Sequence, residues 1–454
     1  MYVRYIGGMA FSGPTSLGRT GAAGAVDVPG WRRALSDRDE ADMSDAQRID
    51  AIRELEALRA AAAAAQARIT ADFDRSQREA ARPALRRDQV RLGRSISAQI
   101  GLARRESPAR GQQHLRVARA LVDDMPHTLA ALAAGRINEF RAMLVVKETA
   151  CLSRADRRTV DRELAARLDG AGDRRVGDLA REISQRLDPA SAVRRARKAE
   201  GDRRVTVRPA PDTMSNLTAL LPVTQGVAVY AALRREAERL RAEGDPRIIA
   251  QLMADLLVAR TTGRTVEESS SKPRTPTVEI GLVMNERTLL RGSQQPAWIP
   301  GFGPIPAPLA RHLVRTADKV WLRRLFTSPE SGELVAMDSR KRLFRGKLRE
   351  LILWRDQTCR TPGCDAPVRH IDHPRPWARQ GSSSSQNAQG LCEACNYVKE
   401  FPGWRADVFG GPGHVVEITT PTGHHYRSSA PPQPGAGPPG SPEEQLQRII
   451  DDVA

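Results

Sequence analysis

Between residues 359 and 399 the chain concentrates side chains that can bind metal and move protons. Cysteines stand there in pairs, Cys359 with Cys364 and Cys392 with Cys395, so four of the chain's five cysteines fall in this window. Two thiolate pairs at such short spacings can supply four sulfur ligands to one tetrahedral Zn2+ and close a structural site. Between the pairs lies a chemically different set. Asp372 offers a hard oxygen ligand suited to Mg2+ or a similar divalent ion. His373 titrates near neutrality in its ordinary state and can take a proton from water. Neighbours on a regular strand point to opposite faces, so this pair serves one site only if the strand ends or bulges between them. Pro374 is placed to end it. Further on, a helix beginning near Glu393 puts Asn396 and Lys399 at i and i+3 on one face.

The order D-H-P, then N, then C-x2-C-N-x2-K, read over residues 372–399, resembles the HNH endonuclease motif, the ββα-metal finger, in its zinc-stapled form. The resemblance implies that His373 is the general base that activates water and that Asp372 is a ligand of the catalytic ion. It implies that Asn387 tethers the loop and positions the histidine, and that Asn396 fills the third motif position. The name-giving motif carries His there; an Asn amide oxygen still binds a hard metal. Lys399 would offset charge developing on the phosphate. His370 shares a strand face with Asp372 and reads as a structural neighbour rather than a ligand.

A chain of 454 residues suggests two or three domains. The formal charge of +17 implies a polyanionic partner, and next to this window the favoured partner is DNA. No apolar run is long enough to span a membrane, and the first residues lack the hydrophobic core of a secretory signal. Cysteines that read as metal ligands rather than disulfides fit a reducing cytoplasm.

The expected fold class is α+β: a mainly helical N-terminal domain with a small sheet, then the zinc-stapled finger. Residues 1–43 are rich in Gly, Ser and Ala without apolar periodicity and are expected to be disordered, with Met43 an alternative start. Ser44-x-x-Gln47 forms a capping box for a helix running to about residue 81. Leu55, Leu58, Ala62, Ala65, Ile69 and Phe73 give that helix a narrow stripe, suited to another helix of the chain or to a homodimer. Further helices are expected over 83–105, 107–121, 128–133, 138–152 and 155–166. A hairpin follows over 205–221, then helices over 223–241 and 246–259, and a polar loop over 261–276. A strand over 278–284, a turn over 301–306 and a helix over 308–316 complete the region to residue 335. The stretches A-R-A-L (118–121), L-A-A-G-R-I (132–137) and G-F-G-P-I-P (301–306) are similar to the helical domain of the actinobacterial thirteen-E-twelve-repeat family. In that family a helical domain of unknown function precedes an HNH motif, and the resemblance covers residues 45–410.

The region 336–410 opens with an amphipathic basic helix over 339–355. Arg340, Lys341, Arg342, Arg345, Lys347, Arg349 and Arg355 supply a side for phosphate, and Leu343, Phe344, Leu348, Leu351 and Ile352 a side for docking. From 411 to 454 the sequence suggests the second strand of a hairpin begun near 404, a Pro/Gly/Ser-rich tail, and a short helix over 443–453. A rival reading, a non-catalytic zinc-stapled nucleic-acid-binding module, would keep the cysteines and the basic helix but need no Asp372–His373–Asn387 set.

Overall fold

The computed structural model describes residues 27–37, 43–81, 89–263, 280–317, 320, 346–409 and 414–433. It is mainly helical with small antiparallel sheets. Among the described residues no helix is long and apolar enough to cross a membrane. Two compact units emerge: one joins the helices before residue 192 to the chain after 321, and the other holds residues 192–321. The single stretch expected over 44–335 is therefore divided, and the cysteine window shares a unit with the N-terminal helices.

Within the segment expected to lack structure, α1 (Val28–Ser36) forms because Asp27 accepts from the Gly30 N–H at 2.9 Å and Pro29 presets the first turn. It buries nothing. The capping box predicted at the next helix is present: α2 (Asp45–Ala80) starts with Gln47 N–H donating to Ser44 Oγ at 3.3 Å and Ser44 N–H donating to Gln47 Oε1 at 2.8 Å. Its buried face differs from the expected stripe. Ala60, Ala63, Ala64, Ala71 and Asp74 are inside, whereas Ile69 is 68% exposed. Small side chains win because neighbouring backbone comes close. At Gly135, with φ +72°, an added Cβ would lie 2.6 Å from the Ala57 Cβ.

The helices α3 (Gln89–Ala103), α4 (Pro108–Asp124), α5 (Pro126–Ala133), α6 (Glu139–Glu148), α7 (Arg154–Leu164) and α8 (Asp173–Leu187) follow, then α9 (Pro189–Gly201). Leu121, Met125, Leu132, Ile137, Val145, Leu164, Leu168, Val176 and Ile183 form a core shared by α4 to α8 with the α2 alanines, while Leu92, Ile96 and Ile100 of α3 cluster separately with Leu115 of α4. Helices α3 and α4 approach so closely that a Cβ on Gly111 would meet Ser97 O at 2.0 Å. The start of α5 has no cap of its own. Asp161, fully buried on α7, supplies it by accepting from His127 N–H, Thr128 N–H and the Thr128 hydroxyl at 2.8, 2.8 and 2.6 Å.

In the second unit, β1 (Arg204–Pro209) and β2 (Ser215–Leu220) form the expected hairpin with Val207 opposite Leu217. Helices α10 (Val223–Ala242) and α11 (Ile249–Thr262) pack through Leu233, Ala237, Leu252 and Leu256. After α12 (Glu286–Leu290), β3 (Ala297–Ile299) and β4 (Gly303–Ile305) make a hairpin where only a turn was expected, leading into α13 (Ala307–Thr316). The strand expected over 278–284 reduces, among the described residues, to one bridge between Val283 and Trp298.

The C-terminal part of the first unit contains α14 (Gly346–Asp356), β5 (His370–Asp372), β6 (Gln389–Leu391) and α15 (Glu393–Lys399). A three-stranded sheet of β7 (Arg405–Phe409), β8 (Val415–Thr419) and β9 (His425–Ser428) closes it. Most of the polar loop over 261–276, Arg340, Lys341, Arg342, Arg345 and the helix over 443–453 lie outside the described residues.

Asp161→Ala leaves two backbone donors and a hydroxyl in the interior without an acceptor. We expect it to lower stability by about 2–3 kcal/mol, read as a lower urea midpoint at unchanged slope.

Candidate metal and catalytic site

The first cysteine pair sits in a knuckle after α14. Cys359 N–H donates to Ala366 O at 2.9 Å and Cys364 N–H to Thr361 O at 3.0 Å, with Gly363 at φ +73° making the turn. The second pair is placed by α15, whose N-cap is Cys392; its Sγ accepts from Cys395 N–H at 3.5 Å. All four sulfurs are buried and lie within 4.8 Å of one another. Cys364 Sγ stands 3.8 Å from both Cys392 Sγ and Cys395 Sγ. Zn–S bonds of about 2.3 Å in a tetrahedron give S···S edges of about 3.8 Å, so the donor set fits a four-sulfur metal centre. Without an ion, hydrogen bonds among the thiols split the set: Cys359 and Cys392 are held below the ordinary thiol range, Cys364 and Cys395 above it. A dication bound among the four sulfurs would favour thiolate at each position.

Around this centre runs a buried ionic network that the sequence reading missed. Asp356 Oδ1 pairs with Arg355 Nε at 2.7 Å and with an Arg360 guanidinium nitrogen at 3.1 Å, while Oδ2 accepts from Gly390 N–H at 2.6 Å. Burial pushes the Asp356 carboxyl up, but the two guanidinium groups outweigh it and hold it below the usual carboxylate range. Arg355 also donates to Ser385 O and Ala388 O at 2.5 and 2.7 Å. Arg360 donates to His414 O and Ser428 O at 2.8 and 2.6 Å. Arg355 was expected on the phosphate-facing side of its helix. It is only 2% exposed, because a carboxylate and two carbonyls draw it inward. Arg349 remains on the exposed side, and Leu348 and Ile352 dock on Ala388 as the amphipathic pattern implied.

The strand does end where Pro374 required. β5 stops at Asp372, paired opposite Gln389, and His373 is the first residue off the sheet. The loop beyond it is tied by Asn387, whose Oδ1 accepts from Arg375 N–H at 2.9 Å. Its Nδ2 donates to Arg375 O at 3.0 Å and Ser382 O at 2.9 Å. His373 Nε2 lies 2.8 Å from Ser383 Oγ. Asp372 Oδ2 accepts from Gln389 Nε2 at 3.1 Å and pairs with Lys399 Nζ at 2.9 Å. Lys399, expected to face phosphate, also donates to His373 O at 2.9 Å, and its side chain is only 11% exposed. It ties α15 to the end of β5. Asn396 lies one turn before Lys399 on the same helix, half-buried.

Asp372, His373, Asn387, Asn396 and Lys399 are thus gathered on β5, α15 and the loop between β5 and β6. The four cysteines remain, among the described residues, the one group of three or more His, Cys, Asp or Glu close enough to share an ion. Gln389 and Ser383 hold Asp372 and His373 yet had no signal in the sequence. Gln389 is recoverable only through the strand register and Ser383 only through the loop's closure.

Metal analysis of purified protein should return about one Zn2+ per chain, lost in Cys392→Ser together with a fall of several degrees in thermal midpoint. A second expectation concerns His414, buried with Nε2–H donating to Gln386 O at 2.9 Å and pushed down to about 4, first by burial and then by the nearby Arg355. Unfolded, it would titrate near about 6.5, so between about pH 4 and 6.5 the unfolded chain binds the extra proton. Stability should rise across that window by at most about 3 kcal/mol. His414→Gln should flatten the slope in pH-dependent urea denaturation.

Three comparisons place the chain among known proteins. The family model described as "Domain of unknown function (DUF222)" matches residues 49–356 and ends before the first cysteine of the window. The chain is 27% identical over 374 residues to the uncharacterized protein Rv3776 of Mycobacterium tuberculosis, covering 73% of this chain and 69% of that one. It is also 36% identical over 129 residues to the uncharacterized protein Rv2100 of the same organism, covering 28% of this chain and 22% of the relative. No solved structure matches. Because the family match spans more than half of its length, the chain belongs to the DUF222 family, a domain of unknown function.

Proposed function

We propose that the chain is a metal-dependent, HNH-type endonuclease that hydrolyses phosphodiester bonds in DNA. The observation that carries this reading is the seat of His373. It stands one residue past Asp372 at the end of a strand, in a loop clamped from both sides by Asn387, with Asn396 on the helix that follows. His373, set against Ser383 Oγ through Nε2 at 2.8 Å, would take the proton of the attacking water on its unprotonated ring nitrogen. Asn387 fixes the loop and so limits where that ring can go. Asp372 and Asn396 offer one carboxylate and one amide oxygen. Such a sparse set suits Mg2+, which keeps much of its shell for water and substrate phosphate. A divalent ion held there supplies Lewis-acid stabilisation of the phosphate and of the leaving oxygen. The four cysteines would hold a structural Zn2+ apart from the chemistry. The net charge of +17 favours a polyanionic substrate. One such centre per chain cuts one strand at a time. A double cut would need two copies, for which Ile49 and Ile52, 65% and 63% exposed on α2, offer an apolar contact.

One contact favours the rival reading, a non-catalytic zinc-stapled nucleic-acid-binding module. Lys399 is seated on Asp372 Oδ2 and already neutralises the proposed ligand.

Nicking of supercoiled plasmid separates the two. Wild type with Mg2+ or Mn2+ should nick, and His373→Ala should lose about 100-fold or more of that rate while retaining its zinc. Absence of nicking on duplex, single-stranded and modified DNA, with salt-sensitive binding by both proteins, would establish the binding module instead.

A further inference from the structure

The loop that carries His373 also presents a tryptophan to solvent. Trp377 opens a 3-10 turn (Trp377–Arg379), is 40% exposed, and stands with its ring 6.0 Å from that of His373 at an angle of 57°. Leaving an indole in water forgoes the gain from burying it, and mobile segments usually fold such groups inward. This loop is braced against that. Asn387 holds both backbone groups of Arg375, Arg375 Nε donates to Arg379 O at 3.2 Å, and Gly381 N–H donates to Pro376 O at 3.2 Å. Gly381 packs so tightly that a Cβ there would fall 2.0 Å from Arg375 O. The nearby Tyr397, 49% exposed, differs: the Arg94 guanidinium lies over its ring at 5.7 Å and His370 stands 6.3 Å away. Among the described residues His373 is the one ring beside Trp377. Arg375 and Arg379 are exposed on either side of it.

A rigid, outward aromatic flanked by arginines is the arrangement that stacks unpaired bases and tracks the backbone between them. Bases inside an intact duplex are stacked on each other and present no such face. We infer that Trp377 stacks on an unpaired nucleobase beside the phosphate that faces His373, so that the site takes single-stranded or locally opened DNA in preference to intact duplex. The inference rests on the nuclease reading for the position of the phosphate. Binding without cleavage tests it separately.

The experiment is fluorescence anisotropy in buffer without added divalent ion. Labelled single-stranded DNA, its perfect duplex, and the same duplex with a mismatched bubble are titrated with wild type, Trp377→Ala and Trp377→Phe, each checked for zinc content. Wild type should bind the single strand and the bubble more tightly than the perfect duplex. Trp377→Ala should lose about tenfold or more on those two, with duplex binding and the salt dependence unchanged, and Trp377→Phe should recover most of the loss. Equal binding of the single strand by wild type and Trp377→Ala, or a loss shared equally by all three DNAs, overturns the inference and leaves the nuclease reading standing. Failure of wild type to bind any of the three overturns both.

Discussion

The C-terminal part of the first unit depends on a carboxylate that water does not reach. Asp356 is 1% exposed between Arg355 and Arg360, each 2% exposed. Removing three charges from water costs several kcal/mol per ion, and their attraction offsets that only when nearly every remaining donor and acceptor is met. Here the partners lie on different elements. Gly390 on β6 gives its N–H to the aspartate, Arg355 spends its other donors on the chain before β6, and Arg360 reaches His414 and Ser428 beside and on the three-stranded sheet. Losing Asp356 would leave two buried guanidinium groups uncompensated, so the network fixes the register of these pieces more than it adds net stability.

Such an arrangement replaces a core that the segment is too small to build. Around the knuckle the buried apolar cluster consists of the four cysteines and Leu391, with Ala366 against it. Thiols this close gain little from contact alone, and an ion held among the four sulfurs would add the folding free energy that the small cluster lacks. The metal-ligand set and the ion triad therefore act on the same short strands from two sides. The Asp372–His373 step, at the end of one of those strands, inherits its position from both.

Much of this was legible in the sequence for a simple reason. Cysteine spacing, the Pro374 stop and the Ser44–Gln47 capping box are local, and each rests on geometry that a few neighbouring residues decide. The start of α15 at Glu393 is legible for the same reason. What escaped depends on distant partners. Arg355 reads as one more cation on a basic helix until Ser385 and Ala388, some thirty residues on, are known to lie beside it. Lys399 reads as a phosphate contact until Asp372 is found within reach. The face of α2 was misjudged because apolar size was taken as the guide, while the close approach at Gly135 selects alanines. Strand β9 was missed because His425, Tyr426, Arg427 and Ser428 alternate weakly and gain their pairing from β8.

The end of the family match at residue 356 bears on where the physical domain ends. That boundary falls between Asp356 and Arg360, through the middle of the buried network. On the other side, α3 is buried along nearly its whole inner length, from Leu92 and Ser95 to Leu102, because Phe73 of α2 and two further neighbours cover it. One is α4. The other is the segment after the knuckle: Phe401 packs on Leu92, Ile96, Ile100 and Leu115, Trp404 Nε1–H donates to Ser95 Oγ at 2.8 Å, and Thr422 Oγ1–H donates to Gln99 Oε1 at 2.9 Å. A chain cut at the family boundary would expose this face of α3 and leave the Arg355–Asp356 pair without Arg360, Gly390, Ser385 and Ala388. The helices before residue 192 and the cysteine window therefore belong to one compact unit, and α3 and α4 are the platform against which the segment after the window packs.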